Sequence, residues 1–527
     1  MQKTKQTFMQ GAFILVVANA LVKVIGAVFK IPLARLLGNE GMGLFSTSYI
    51  MYTWMFIVAT AGLPVAISKM VSESSALGRG QEVKRIFRVS VMVLSVIGIL
   101  GSSALYFGAE FFSLMLGSSR AVHGIRAVAP AMLFVSIMSA YRGFFQGMQN
   151  MIPTAISEVV EALGKLLLGF AFASFFLSRG LEFGAAGAVF GVSAGAFLGC
   201  LILFFIHLFR KKHIYKDVME NGESRSYTKL LLTLIRIAVP ITIGASVFSL
   251  TSVIDMSMIM RRLQSIGFSE AQATALWGSY SGFAVPLFNL PPTLISALSV
   301  SLVPAVAAAF AKREYTSTGK TVASSLRITV LFALPCAVGM AVLSEPILHL
   351  VYNNTDASTT LSILSCSILF VSLVLVTNSI LQATGHEMIP VFHMLIGGGI
   401  KIITNYTLVG MPDINIVGAP IGTGICYIFI FTLNLIAIRR VLKINIGVFG
   451  LFVKPVIAAL AMGAGVLVVY KFTASLGSLA TVFSIGMGAV IYLAVLLMVK
   501  ALRRDDIIML PKGQKIADIM DKYRLLR

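Results

Sequence analysis

Acidic residues are scarce in this chain: 21 Asp and Glu stand against 42 Lys and Arg in 527 residues, and charges of both signs make up only 12% of it. Soluble domains carry about 25% charged and about 45 to 50% apolar residues, so a chain that is 57% hydrophobic reads as a polytopic membrane protein. Cysteine is rarer still. Cys200, Cys336, Cys366 and Cys426 stand singly inside apolar segments, which excludes a zinc spacing or a disulfide framework and leaves them as small core residues. The six histidines are scattered, and His386-Glu387 with His393 lacks the i, i+4 pair of a zinc-protease helix. Gly319-Lys320-Thr321 ends like a phosphate-binding loop, but Glu314 stands where its first glycine belongs and no strand precedes it. With no catalytic constellation, the expectation is a protein that is not an enzyme and holds no cofactor and no metal.

The net charge of +21 does not signal nucleic acid, because the basic residues collect at segment ends and in short loops. Anionic membrane lipids are the partner that pattern fits. Fourteen apolar runs, each near the length that spans about 30 Å of hydrocarbon, lie at 11–37, 44–71, 88–108, 122–147, 154–178, 184–209, 231–260, 275–303, 320–343, 360–384, 389–410, 416–438, 451–472 and 478–500. Lys3 and Lys5; Arg79, Lys84, Arg85 and Arg88; Arg210, Lys211, Lys212 and Lys216; Lys312, Arg313 and Lys320; Arg439, Arg440 and Lys443; and Lys500, Arg503 and Arg504 then fall on one side. Arg120, Arg179, Arg261, Arg262 and Lys471 are the main exceptions. By the positive-inside rule this places the chain as a multi-pass protein of the cytoplasmic membrane with both termini cytoplasmic. The basic start before Ala18-Asn19-Ala20 imitates a signal peptide, but the apolar run continues to Leu37, so an uncleaved first helix is expected.

The chain also repeats itself. Leu133-Phe134-Val135-Ser136 returns as Leu369-Phe370-Val371-Ser372, Gln146 as Gln382, and Met151-Ile152-Pro153 as Met388-Ile389-Pro390, at a spacing of 236 or 237. Gly187-Ala188 with Gly191 is echoed by Gly418-Ala419 with Gly422. The expected architecture is all-α and integral to the membrane: about 14 transmembrane helices, as two six-helix lobes in internal repeat plus two extra C-terminal helices. The boundaries follow as 1–229 for the N-lobe with its linker, 230–446 for the C-lobe, and 447–527 for the last two helices and a basic tail.

Charges inside lipid mark candidate sites, since a lysine at the centre of a membrane helix costs roughly 2.5 to 3.5 kcal/mol. Asn19, Lys23, Gly26 and Lys30 fall at i, i+4, i+7 and i+11, on one face of a helix. Arg142, Gln146 and Gln149 end segment four, and Glu158, Glu161 and Lys165 line segment five. Glu161 and Lys165 are spaced to pair at i+4; alternatively they join Lys23, Lys30 and Arg142 around a cavity that holds an anionic head group by charge-assisted hydrogen bonds. Glu158, Glu161 and Asp255 are the candidates for proton coupling, because desolvation disfavours a charged carboxylate. In the second half Asn378 replaces Arg142, and Lys401 is a main intramembrane charge.

Lys30-Ile31-Pro32-Leu33-Ala34-Arg35 through Gly38-Asn39-Glu40-Gly41, Gly62-Leu63-Pro64-Val65-Ala66-Ile67-Ser68-Lys69, Pro240-Ile241-Thr242-Ile243-Gly244-Ala245, Asn289-Leu290-Pro291 and Ser301-Leu302-Val303-Pro304-Ala305 carry a resemblance over nearly the whole chain. It resembles the multidrug/oligosaccharidyl-lipid/polysaccharide flippases, in the polysaccharide biosynthesis branch of the stage V sporulation B proteins and Gram-positive lipid II flippases. The resemblance implies fourteen helices, alternating access, and export of an undecaprenyl-pyrophosphate-linked sugar, with Lys23 and Lys30 matching basic residues of the first helix. A lipid-linked anionic oligosaccharide and cell-wall synthesis proteins are then the implied partners, with a monomer favoured. A multidrug exporter of the same superfamily is one alternative reading, and a membrane glycosyltransferase or scaffold for wall assembly is another.

Overall fold

The computed structural model describes residues 8–216, 225–311, 315–442 and 448–501, which form helices and, among the described residues, no strand. Helix is what lipid demands of such runs, because a backbone without water must satisfy its own hydrogen bonds. Among the described residues, twelve helices are long and apolar enough to span a membrane. The first of them, Ile14–Ala76, is 63 residues long and covers two expected segments; Gly38, at φ 63° and ψ −168°, breaks it with a backbone conformation open to glycine. Thirteen of the fourteen expected segments fall on these helices; the eighth, 275–303, is divided among shorter helical stretches between Glu270 and Ala311. The calls on Lys3, Lys5, Lys312, Arg313, Lys443, Arg503 and Arg504, and on the side chains of Arg210, Lys211, Lys212 and Lys216, lie outside the described residues.

Two compact units divide the chain, Met1–Gly278 and Ser279–Arg527. Unit 1 contains α1 (Phe8–Thr60), α2 (Leu63–Ala76), α3 (Gly80–Phe107), α4 (Ala109–Met115), α5 (Val122–Gly147), α6 (Ile152–Leu177), α7 (Leu181–Lys216), α8 (Tyr227–Ser265) and α9 (Glu270–Gly278). Its densest packing is α6 on α7, where Gly164, Gly169, Gly187, Gly191 and Gly195 let the backbones meet; a Cβ on Gly195 would stand 2.8 Å from the Lys165 nitrogen. Helix α8 packs on α1, α2 and α3, so the sequence repeat and the compact unit divide the chain at different places.

Unit 2 contains α10 (Val285–Phe288), α11 (Leu290–Ala311), α12 (Tyr315–Val342), α13 (Ser344–Tyr352), α14 (Ser358–Ala383), α15 (Met388–Val409), α16 (Gly418–Leu442), α17 (Val448–Thr473) and α18 (Ser478–Met498). Helix α14 lies between α12 and α16, α15 packs mainly on α16, and α17 pairs with α18. The repeat is legible in the hydrogen bonds themselves. After α5, Gln149 N donates to Gln146 O at 2.9 Å and Asn150 N to Phe145 O at 3.0 Å. After α14, Gly385 N donates to Gln382 O at 3.0 Å and His386 N to Leu381 O at 2.9 Å. Both turns satisfy orphan helix carbonyls through a left-handed residue, Gln149 at φ 55° in one copy and Gly385 at φ 79° in the other.

Candidate functional site

Arg142, Ser157, Glu161, Lys165 and Tyr49 of unit 1 gather where α1, α5 and α6 meet. Arg142 on α5 donates from Nε to Ser157 Oγ at 3.0 Å and from Nη2 to Glu161 Oε2 at 2.8 Å, with side chains 16% and 26% exposed. Ser157 is held in turn by its own bond to Thr154 O at 2.7 Å. Glu158, one residue on, has a buried Oε2 with no hydrogen-bond partner and lies within the field of Arg142 and Glu161.

One turn further along α6, Lys165 donates to Tyr49 Oη at 3.2 Å. Its Nζ also stands 4.2 Å from the centre of the Tyr49 ring and 5.6 Å from that of Phe29. Such cation–π contacts let an ammonium stay charged without a carboxylate. The ring belongs to a ladder: Phe29 meets Phe45 edge-on at 6.0 Å, Phe45 stacks on Tyr49 at 5.7 Å, and Tyr52 and Phe56 continue it at 5.9 Å steps. Lys30 is half-buried within electrostatic reach of Lys165 and, among the described residues, has no hydrogen-bond or ion-pair partner. The two lysines thus lie within electrostatic reach of each other and, among the described residues, neither has a carboxylate partner, an arrangement that a polyanion beside them would relieve.

The arrangement corrects two readings of the sequence. Glu161 pairs with Arg142 and not with Lys165, because the α5–α6 turn brings the guanidinium across while Lys165 points toward the aromatic ladder of α1. Lys23 does not join Lys30. Phe29 is buried and seats on Gly169 of α6, whereas Gly26 has open space around it, so α1 has left α6 before Lys23 is reached, and Lys23 is exposed. Asn19 is exposed as well and returns its amide to Leu15 O at 2.9 Å on its own helix. Asp255 is buried on α8 two residues before Ser257, whose hydroxyl donates to Met115 O at 2.6 Å. That contact lies toward the start of α5, with Arg142 about 30 Å further along the helix, so the structure does not bring Asp255 to the cluster. Tyr49, Ser157 and Phe29 belong to the site without having been singled out. The aromatic recurrence Phe45, Tyr49, Tyr52, Phe56 at helical spacing was the signal for the first of them.

Two other polar clusters lie apart from it. Glu82 has no exposed side-chain surface and accepts from Ser74 Oγ at 2.9 Å and from Arg225 N at 3.0 Å and Nε at 3.1 Å, pinning the start of α8 to the α2–α3 turn. Arg120 gathers Glu40, which it bonds directly, Glu182 at 3.2 Å and, through its backbone nitrogen, Glu270 at 3.2 Å. Among the described residues no group of three or more His, Cys, Asp or Glu is placed to hold a metal ion.

A bundle of membrane-length helices with cations gathered inside one helical unit defines a multi-pass membrane carrier. The comparisons with known proteins agree. The family described as polysaccharide biosynthesis protein matches residues 8–310, and the MatE family matches residues 279–407. Stage V sporulation protein B of Bacillus subtilis is 27% identical over 96% of this chain and 98% of its own. Lipid II flippase MurJ of Bacillus subtilis is 28% identical over 82% of each. Of solved structures, a lipid II flippase MurJ in an inward closed conformation superposes with a TM-score of 0.65 at 14% identity, covering 92% of this chain and 98% of that one. An inward-facing multidrug resistance MATE transporter of the MOP superfamily superposes at 0.62 and 15% identity, covering 80% and 99%. The chain belongs to the polysaccharide biosynthesis protein family, within the multidrug/oligosaccharidyl-lipid/polysaccharide flippase superfamily.

Proposed function

We propose that the protein moves an undecaprenyl-pyrophosphate-linked sugar, lipid II or a related cell-wall or polysaccharide precursor, across the cytoplasmic membrane by alternating access, with both termini cytoplasmic. The observation that carries this reading is the Lys30 and Lys165 pair, two lysines of a membrane unit within electrostatic reach of each other, neither of them ion-paired among the described residues. A pyrophosphate is the lipid-borne group whose charge such a pair accommodates, and charge-assisted hydrogen bonds from both would hold it. A carrier for cationic drugs would present the reverse charge. Arg142 keeps Glu161 neutralised, so that carboxylate does not cancel the lysines, and Glu158 is the carboxylate free to exchange a proton during the cycle.

The test is reconstitution of the purified chain in liposomes containing a fluorescent undecaprenyl-pyrophosphate sugar, with accessibility of the label read on both leaflets. Protein-dependent equilibration of the pyrophosphate lipid, with a labelled phosphatidylcholine left in place and no new lipid-linked product formed, is the expected result. Equal movement of both lipids, or a glycosylated product, would contradict it.

A further inference from the structure

We infer that His393 is a proton-binding residue of unit 2, held in a single tautomer with Nε2 left to take up the proton. His393 lies in the second turn of α15, half-buried, and its one polar contact among the described residues is from Nδ1 to Asn434 Oδ1 at 2.7 Å. Asn434 on α16 has no exposed surface, and its orientation is settled by its other partners. Its Nδ2 donates to Thr377 Oγ1 at 3.0 Å and to Asn378 Oδ1 at 2.7 Å, both on α14. Thr377 has already committed its hydroxyl proton to Leu373 O at 2.8 Å, so toward Asn434 it only accepts. The amide therefore presents nitrogen to α14 and oxygen to the histidine. An amide oxygen only accepts, so His393 Nδ1 carries a hydrogen and, in the neutral ring, Nε2 holds the lone pair.

The same bond survives when Nε2 gains a proton, since Nδ1–H donates to Asn434 in both charge states. Protonation therefore needs no rearrangement of the buried network, which is the condition for a reversible proton site. The repeat gives the position meaning. In unit 1 Arg142 bonds Ser157; at the equivalent places in unit 2 Asn378 Nδ2 contacts Met394 Sδ at 3.8 Å, next to His393. Where one copy holds a permanent guanidinium, the other holds neutral groups beside a side chain whose charge is conditional.

The surrounding charges are few. Of the helices packed on α15, α14 carries only Cys366, and α16 carries Cys426, Tyr427, Arg439 and Arg440, as titratable or charged groups. On α15 and the turn before it stand His386, Glu387, Lys401 and Tyr406. Glu387, Arg439 and Arg440 are exposed, and Lys401 is half-buried about two turns further along α15.

The experiment has two arms, of which only the second rests on the flippase reading. In the first, the full chain labelled with 15N-histidine is placed in lipid nanodiscs, and the His393 signal is identified by its loss in His393→Asn, or in His393→Gln if the first variant is not recovered. An imidazole protonated on Nδ1 at alkaline pH that gains its second proton on Nε2 upon acidification, with the Nδ1 hydrogen bond kept, is expected. An Nε2–H ring at alkaline pH, or a ring that stays singly protonated upon acidification, overturns the inference. In the second arm, His393→Asn keeps a donor for Asn434 and deletes Nε2. Its translocation rate should change less than twofold from about pH 5.5 to 7.5 while the wild type changes about tenfold. A wild-type pH profile retained in the variant overturns the role in coupling. Translocation absent from the wild type refutes the flippase reading and leaves the titration arm to decide His393.

Discussion

Replacing Arg142 with methionine strips the guanidinium from between Ser157 and Glu161 and leaves a carboxylate about three-quarters buried with no cation. Losing one partner of a fully buried pair costs about 3 to 5 kcal/mol and breaking an exposed pair about 0 to 1. With the two side chains 16% and 26% exposed, Arg142→Met should cost about 2 to 3 kcal/mol, of which the Ser157 hydrogen bond accounts for about 1. Removing the orphaned charge as well, in Arg142→Met with Glu161→Met, should return the protein to within about 1 kcal/mol of the wild type, because two apolar groups of similar size replace an ion pair at little net cost. Thermal unfolding of the wild type, both single variants and the double variant in one detergent closes the cycle. A coupling of about 1.5 kcal/mol or more is expected, since the residues touch. Additivity to within about 0.5 kcal/mol would refute the pairing, that being the behaviour of distant sites.

Gln149→Gly should raise stability by about 1 kcal/mol, since Gln149 occupies the left-handed position that Gly385 fills in the repeat; a fall in melting temperature would contradict it. Glu82→Ala should cost about 2 to 4 kcal/mol and release the segment before Tyr227 to proteolysis, because it unpairs Arg225 and Ser74 around a fully buried site. Single cysteines at Asn39, Asp356 and Asp413 should react with impermeant reagents outside intact cells, and one at Lys211 should not; labelling at Lys211 would reverse the orientation.

Much of this was legible from residue order. Long apolar runs with charge at their ends dictate helices in lipid, and the recurrence of Gln146 as Gln382 anticipated two turns with the same hydrogen bonds. Arg142, Glu161, Lys165 and Lys30 were recognisable as charges in the wrong solvent. Their pairing was not, because helical periodicity says which residues share a face but not which helix that face meets. Lys23 and Lys30 share a face by spacing, yet only Lys30 reaches α6, since the contact at Phe29 and Gly169 ends before Lys23. Glu161 had a partner ready at i+4 and took one from another helix at 2.8 Å. The tautomer of His393 depends on Asn434, 41 positions away, and on the threonine behind it. The placement of α8 with unit 1 likewise rests on contacts with α1 to α3 that no local pattern records.

The claim that two uncompensated lysines hold a lipid-linked pyrophosphate is tested most directly by equilibrium binding of an undecaprenyl-pyrophosphate sugar to the wild type, Lys30→Gln, Lys165→Gln and Lys23→Gln, all matched for folding. Each charge-assisted contact is worth about 1.5 to 3 kcal/mol, so Lys30→Gln and Lys165→Gln should each raise Kd about ten- to a hundredfold. Lys23→Gln should raise it less than about threefold, since a side chain that stands away from α6 makes no charge-assisted contact there. Wild-type affinity in both Lys30→Gln and Lys165→Gln would contradict the account.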